Sequence, residues 1–153
     1  MEALGKMRRV ALIGMNNPLS RDPAKALWPD PVNCTGWRIW QMLASRTGAT
    51  QTDYLRAFHR YNLGQEKFFH SENAREYWME IEDDLVANFD TVVLLGTAVK
   101  KAAGVLLPPL YVSRTLVTIP HPSGLNRWYN SEVNRQMVEV ILEELYVEAI
   151  SSS

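Results

Sequence analysis

The sequence has very little cysteine, and Cys34 is its only one. A single cysteine excludes an internal disulfide and is typical of proteins from reducing compartments. Cys34 belongs to no Cys-x-x-Cys pair and lies near no histidine cluster, so we expect no zinc site. The chain also lacks an apolar run approaching the ~20 residues that span a bilayer, and residues 1–6 lack the apolar segment of a signal peptide. These absences predict a cytoplasmic or otherwise intracellular protein with no membrane partner.

A strong excess of charge of either sign is absent as well. The 153 residues carry 16 basic and 17 acidic side chains, for a net charge of −1. This balance excludes a general electrostatic attraction to nucleic acid, so a nucleic-acid partner would need a local basic patch. The length and the 46% hydrophobic content predict one globular domain over residues 1–153, which we expect to be monomeric, with a frayed tail at 151–153.

Four apolar segments are predicted to be strands. They are residues 8–13, 54–61, 91–95 and 114–119. Gly14 is predicted to end the first strand, and Asn62 closes the second. Apolar strands of this kind, separated by helical patterns, indicate strands buried on both faces of a sheet.

Helical patterns separate these strands. They begin at Gly36, after Asn73, at Ala98 and after Ser131. Asn73 and Glu76 predict a capping box for the second helix. Lys100 and Lys101 are interpreted as a solvated helix face, with contact to DNA as the alternative. The apolar face of the last helix is predicted to contain Val133, Met137, Val140, Ile141 and Leu145.

Strands that alternate with helices predict an α/β fold, a three-layer α/β/α domain around a mainly parallel sheet of about four strands. In such sheets ligands bind beyond the carboxyl ends of the strands. Residues 14–17, Asn62, 96–97 and 121–126 all follow predicted strands directly. We therefore expect Asn16, Asn62 and His121 to converge on one pocket at that edge.

Two loops stand out by their composition. His121 lies between Pro120 and Pro122, which hold the chain on a stiff path because proline fixes φ and favours an extended residue before it. The loop either presents His121 for chemistry or is a tight turn in which the histidine is incidental. Residues 16–35 contain four prolines and little periodicity, which predicts a long structured loop of functional use.

These two loops resemble the motifs of the uracil-DNA glycosylase superfamily. Gly14-Met15-Asn16-Asn17-Pro18 resembles the first motif, in which Gly-x-Asn/Asp-Pro follows the first strand. His121-Pro122-Ser123-Gly124-Leu125-Asn126 resembles the second, whose usual form begins His-Pro-Ser. Residues 94–98 are similar to the strand–glycine–helix segment between the motifs, and residues 36–43 to the helix that follows the first. The resemblance covers most of the chain in family order, and the His-Pro-Ser loop is its most specific element.

The resemblance implies that the chain hydrolyses the N-glycosidic bond of uracil or a related pyrimidine in single- or double-stranded DNA, without a metal or cofactor. Asn16 would position the attacking water, and His121 would donate a hydrogen bond to the departing base. Base binding is implied for Asn17, Asn62, Cys34 and Trp37. Contacts to DNA are implied for Ser123, Gly124, Leu125, Asn126 and Arg127. Leu125 would be the apolar wedge that enters the base stack.

Two departures from the family pattern leave assignments open. Counting from the glycine of the first motif gives the water-positioning role to Asn16, whereas counting back from its proline gives it to Asn17. Cys34 stands where many family members have a phenylalanine that stacks on the base, so Trp28 or Trp37 would have to replace that ring.

Other functions also fit the sequence. Asn62 could simply cap a turn, and Leu125 could be an ordinary exposed loop leucine. The near-neutral charge, the doubled asparagine of the first motif and the missing phenylalanine favour a non-catalytic protein that binds a nucleobase, a nucleotide or modified DNA. An enzyme that acts on free nucleosides or nucleotides is a third interpretation.

Overall fold

The computed structural model describes residues 8–64 and 69–151, which form five strands and five helices. The strands are β1 (Val10–Asn16), β2 (Phe58–Gly64), β3 (Thr91–Leu95), β4 (Tyr111–Val112) and β5 (Leu116–Ile119). The helices are α1 (Thr35–Thr47), α2 (Gln51–Ala57), α3 (Ala74–Asn88), α4 (Thr97–Ala103) and α5 (Glu132–Ile150). Short 3-10 turns lie at Pro23–Lys25, Ser71–Asn73 and Arg127–Asn130.

One sheet contains these strands in the order β2-β1-β3-β5-β4. Four of them are parallel, and β4 pairs antiparallel with β5 at the edge. The predicted α/β class with a mainly parallel sheet is therefore confirmed. The chain leaves β1 for β2 on one side and returns to β3 on the other, so a topological switch point lies between β1 and β3. Ligands of open α/β sheets bind outside the carboxyl ends of the strands at such a point.

Helices cover both faces of the sheet. Val10 and Leu12 share a core with α1, α2 and α5, whereas Ala11 and Ile13 share a second core with α3 and α4. All four side chains are fully buried. Successive side chains of a strand point to opposite faces, so a central strand with two cores must be apolar at every position. The predicted three layers follow from this arrangement.

Three predictions about the strands are wrong in detail. β1 continues past Gly14 to Asn16, and the segment predicted as a strand from residue 54 is helical up to Ala57. Thr50 starts that helix with a capping box, because its side chain accepts from Asp53 N and the Asp53 carboxylate accepts from Thr50 N. The sheet has five strands instead of about four, since β4 is too short to show an alternating pattern.

The helix ends were predicted with mixed success. Asn73 precedes α3, but its side chain makes no capping bond because the 3-10 turn at Ser71–Asn73 already leads the chain into the helix. The predicted capping box with Glu76 is therefore wrong. Ser131 does cap α5, accepting from Asn134 N.

The apolar face predicted for α5 is also partly wrong. Val133 and Met137 are exposed, and the residues that α5 buries are Val138, Leu142, Leu145 and Ala149. Apolar residues occur around most of this helix, so its own periodicity does not single out one face. Packing against α1 and the sheet decides which stripe is buried.

Candidate functional site

The carboxyl ends of β1 and β2 carry two asparagines that line the same cavity. Asn62 is paired in register with Gly14 and is only 4% exposed. A Cβ at Gly14 would stand 2.7 Å from Asn62 Oδ1, so the Asn62 side chain occupies the space that a residue larger than glycine would need. Asn16 lies two residues after Gly14 and is the last residue of β1.

Asn16 and Asn62 line a cavity of about 590 Å³, which we call the main cavity. The rest of its wall comes from the loop between β1 and α1 and from the loop after β5. The lining residues that matter for the chemistry are Asn16, Asn17, Lys25, Trp28, Cys34, Asn62, Ser123 and Gly124. Residues at or beyond the ends of three different strands thus meet in one cavity, as expected for the carboxyl edge of a parallel sheet.

The loop after β1 is shaped by hydrogen bonds between side chains and the backbone of the loop. Asn17 Nδ2 donates to Lys25 O at 2.9 Å, and Asn17 Oδ1 accepts from Leu19 N at 2.9 Å. The buried Tyr54 hydroxyl donates to Leu27 O at 2.8 Å, and Leu27 has a positive φ of 50°. Asn17 therefore shapes the cavity wall, and Tyr54 anchors that wall to the core.

Cys34 is used as a helix cap. Its Sγ accepts from Trp37 N at 3.4 Å and donates to Trp28 O at 3.4 Å. Cys34 lines the main cavity, and its role in base binding stays a prediction. Trp37, the other residue predicted to bind the base here, is not part of the lining.

Trp28 is the aromatic residue that does line the main cavity. Lys25 Nζ lies 3.8 Å from the centre of its ring, and Arg60 Cζ lies 5.4 Å from it. Arg60 also donates to Ala26 O at 2.8 Å. Cation–π attraction to these two cations thus holds the indole in place, and the bond to Ala26 O holds Arg60.

The His121 loop is rigid and closely packed. Gly96 has a φ of 92°, and a Cβ on it would stand 2.9 Å from His121 Cβ, so the end of β3 needs glycine to let this loop approach. Tyr129 donates to Pro120 O at 2.5 Å, and Asn126 Nδ2 donates to His121 O at 3.1 Å. Asn126 Oδ1 accepts from Trp128 N at 3.1 Å. The predicted DNA contact Asn126 is therefore engaged in shaping the loop.

His121 itself lies beside a different opening. It lines a cleft of about 250 Å³, which we call the histidine cleft, together with Gly96, Thr97 and Lys100. Asn16 and Asn62 line the main cavity together, whereas His121 lines the histidine cleft, and its loop reaches the main cavity through Ser123 and Gly124. Burial lowers the pKa of His121 below its usual value near 6.5, so the imidazole is neutral at pH 7.

Lys100 does not belong to a solvated helix face. It is 8% exposed, and its Nζ donates to Leu107 O at 3.1 Å, whereas Lys101 is exposed. The pattern of two adjacent lysines in α4 gave no sign that one would point inwards. The burial of Lys100 follows from its packing beside the loop that enters β4.

A basic residue that the sequence patterns do not single out lies against the loop after β5, next to the main cavity. Leu125 is 94% exposed, and Arg127 is also exposed. Arg38, in the first turns of α1, lies against the same loop, since a Cβ at Gly124 would stand 2.6 Å from Arg38 Nη2. Arg38 and Lys25 are two positive charges near the main cavity, whose lining also contains the carboxylate of Asp30.

Within residues 8–64 and 69–151, no three His, Cys, Asp or Glu side chains are grouped as a metal site would require. None of the described helices has the length and apolarity to cross a membrane. No protein-family model matches the sequence, and no curated protein matches it significantly.

Proposed function

We propose that this protein is a DNA glycosylase with a uracil-DNA glycosylase-like fold, which hydrolyses the N-glycosidic bond of uracil or a related pyrimidine without a metal ion. One observation carries the proposal. The first motif, Asn62 and the Ser123–Gly124 segment of the second motif line one cavity at the carboxyl edge of the sheet. Its volume of about 590 Å³ is within the usual range of about 300–1,000 Å³ for small-molecule sites.

Counted from Gly14, Asn16 is the candidate for positioning the attacking water, and it is the residue that we assign to this role. Both polar atoms of Asn17 already bond to the backbone of its own loop. Asn16 ends β1 and also lines the main cavity. An amide oxygen orients water but is not a strong base. Such a group suits a reaction in which the sugar develops oxocarbenium character before the water attacks.

Asn62 and Trp28 are suited to hold the base. Asn62 is buried beside the cavity, and a side-chain amide contains the acceptor and donor types found on the edge of a pyrimidine. Hydrogen bonds from a buried site discriminate strongly, because the wrong base leaves the polar groups of the site unpaired. Trp28 supplies apolar aromatic surface to the cavity wall, where cation–π contacts to Lys25 and Arg60 hold it.

His121 would act on the departing base. As a neutral imidazole it retains one N–H donor, which would bond to the base oxygen where negative charge grows as the glycosidic bond breaks. A donor of this kind lowers a barrier by about 2.7–4 kcal/mol. The reaction requires the ring to reach a base bound in the main cavity, and a kinetic assay tests this requirement.

A second function is favoured by a specific observation. His121 lines the histidine cleft and not the main cavity, and Cys34 replaces the stacking ring with a helix cap. Both features fit a protein that binds a nucleobase, nucleotide or modified base in the main cavity without cleaving it.

An excision assay separates the two functions. Labelled oligonucleotides carrying uracil or other modified pyrimidines, and the matching free nucleosides, are incubated with the protein and tested for base release. A glycosylase produces abasic sites, and His121→Ala and Asn16→Ala each reduce their formation. His59→Ala is the matched control, because His59 is exposed at the amino end of β2. Binding without release supports the second function, and release from nucleosides alone points to a nucleoside hydrolase.

A further inference from the structure

Arg38 connects the two loops that carry the motifs. Its Nε donates to Asn33 O at 3.1 Å, which fixes the guanidinium to the loop between β1 and α1. Its Nη2 and Cζ would lie 2.6 Å and 3.2 Å from a Cβ at Gly124, so the plane also packs on the loop after β5. The absence of a side chain at residue 124 allows this close approach.

The guanidinium is held in place with most of its donors unused. Among the described residues, its side chain has no hydrogen-bond partner besides Asn33 O. The four Nη hydrogens are therefore available to a ligand at the rim. Arginine presents such donors in a planar fork that matches the oxygens of a phosphate group.

The surroundings match the path of a nucleic-acid backbone. Ser123 and Gly124 line the main cavity beside Arg38, and the next residue, Leu125, projects into solvent with 94% exposure. Ser123 Oγ accepts from Leu125 N at 3.1 Å, so its own hydrogen remains able to donate. A strand whose base occupies the cavity would pass its phosphates over this rim.

We propose that Arg38 binds a backbone phosphate of DNA at the Ser123–Gly124 rim and thereby sets the position of the strand over the main cavity. The inference rests on the proposed function in taking DNA as the partner. A phosphate contact positions a strand without reading its sequence. Arg38 is thus a positioning residue, and the chemistry remains with Asn16 and His121.

Two variants remove this contact in different ways. Arg38→Gln removes the charge. Gly124→Ala keeps the charge but places a Cβ 2.6 Å from Nη2, which displaces the flexible end of the Arg38 side chain. Arg46→Gln is the control, because Arg46 lies in the same helix and pairs with Glu143, away from both loops. Thermal unfolding of each variant shows whether the fold is retained.

The measurement is the salt dependence of binding to a short labelled duplex with a central tetrahydrofuran abasic analogue, which has no base to cleave. Affinity is determined between about 50 and 200 mM salt, where log K falls linearly with log salt by about 0.9 per phosphate contact. We expect the slope to become shallower by about 0.9 in both Arg38→Gln and Gly124→Ala and to be unchanged in Arg46→Gln.

The other outcomes overturn the proposal in distinguishable ways. If Arg38→Gln and Gly124→Ala both keep the wild-type slope, the proposed contact between Arg38 and a phosphate is refuted, and the glycosylase proposal is unaffected. An equal change in Arg46→Gln would show a general charge effect, and a change in Arg38→Gln alone would show that the position of the guanidinium is unimportant. A wild-type protein that does not bind the duplex at low salt would overturn the DNA partner itself, and the Arg38 contact with it.

Discussion

Tyr54→Phe should destabilise the wall of the main cavity, although Tyr54 itself does not line the cavity. The Tyr54 side chain is fully buried in α2, and its hydroxyl donates to the carbonyl of Leu27 at 2.8 Å. Burial raises the pKa of Tyr54, so the hydroxyl remains protonated and able to donate. The substitution removes one oxygen and leaves the packing of the ring unchanged.

The expected loss follows from the buried carbonyl. A buried acceptor whose donor is removed costs about 1–3 kcal/mol, because no water replaces the lost partner. For a chain of this size, 1 kcal/mol corresponds to about 2–4 °C in the midpoint of thermal unfolding, so the midpoint should fall by about 2–12 °C. Leu27 holds a positive φ, so the freed loop should also relax locally.

Thermal and urea unfolding of the two proteins measure this loss. Tyr146→Phe is the control, because Tyr146 packs on the same core and has no hydrogen-bond partner for its hydroxyl among the described residues. A Tyr54→Phe midpoint within about 1 °C of the control would refute the view that this bond anchors the loop.

Three further predictions concern the site. Leu125→Ala should leave the unfolding midpoint unchanged, because the side chain is 94% exposed. It should weaken binding to a duplex more than binding to a single strand, since only a duplex needs a wedge. Equal losses of affinity would exclude the wedge role. Asn17→Ala should lower the free energy of unfolding in urea by about 1–3 kcal/mol through its two loop bonds, and no change would contradict their role. Burial lowers the pKa of His121 in the folded protein. As the pH falls below about 6.5, this histidine is therefore protonated more readily in the unfolded chain than in the folded one, and the free energy of unfolding decreases. His121→Gln should lose less between about pH 7 and 5, and equal losses would show that this histidine is not held neutral.

The fold was largely predictable because a central parallel strand must be apolar on both faces. β1 and β3 satisfy this condition, and their continuous apolar runs identify them without any tertiary information. β2 was misplaced because the Thr50–Asp53 capping box starts a helix where the aromatic residues suggested a strand. β4 depends on pairing with β5, which no local pattern reveals.

The site was only partly predictable, since motif spacing fixes which loops meet but not where side chains point. The sequence brought the first motif, Asn62 and the second motif to one edge, and the main cavity is lined by all three. It did not predict that His121 faces the histidine cleft or that both polar atoms of Asn17 bond to its own loop. Arg38 was missed because its role depends on a contact between residues 86 positions apart, Arg38 and Gly124.

The excision of uracil from a labelled oligonucleotide tests the proposed function most directly. Wild-type protein should create abasic sites, and His121→Ala and Asn16→Ala should each lower the single-turnover rate by about a hundredfold or more, with little effect on substrate binding. His59→Ala should retain the wild-type rate. If the wild-type protein releases no base from uracil or any modified pyrimidine tested, while it still binds such a base, the protein is a binding module and not a glycosylase.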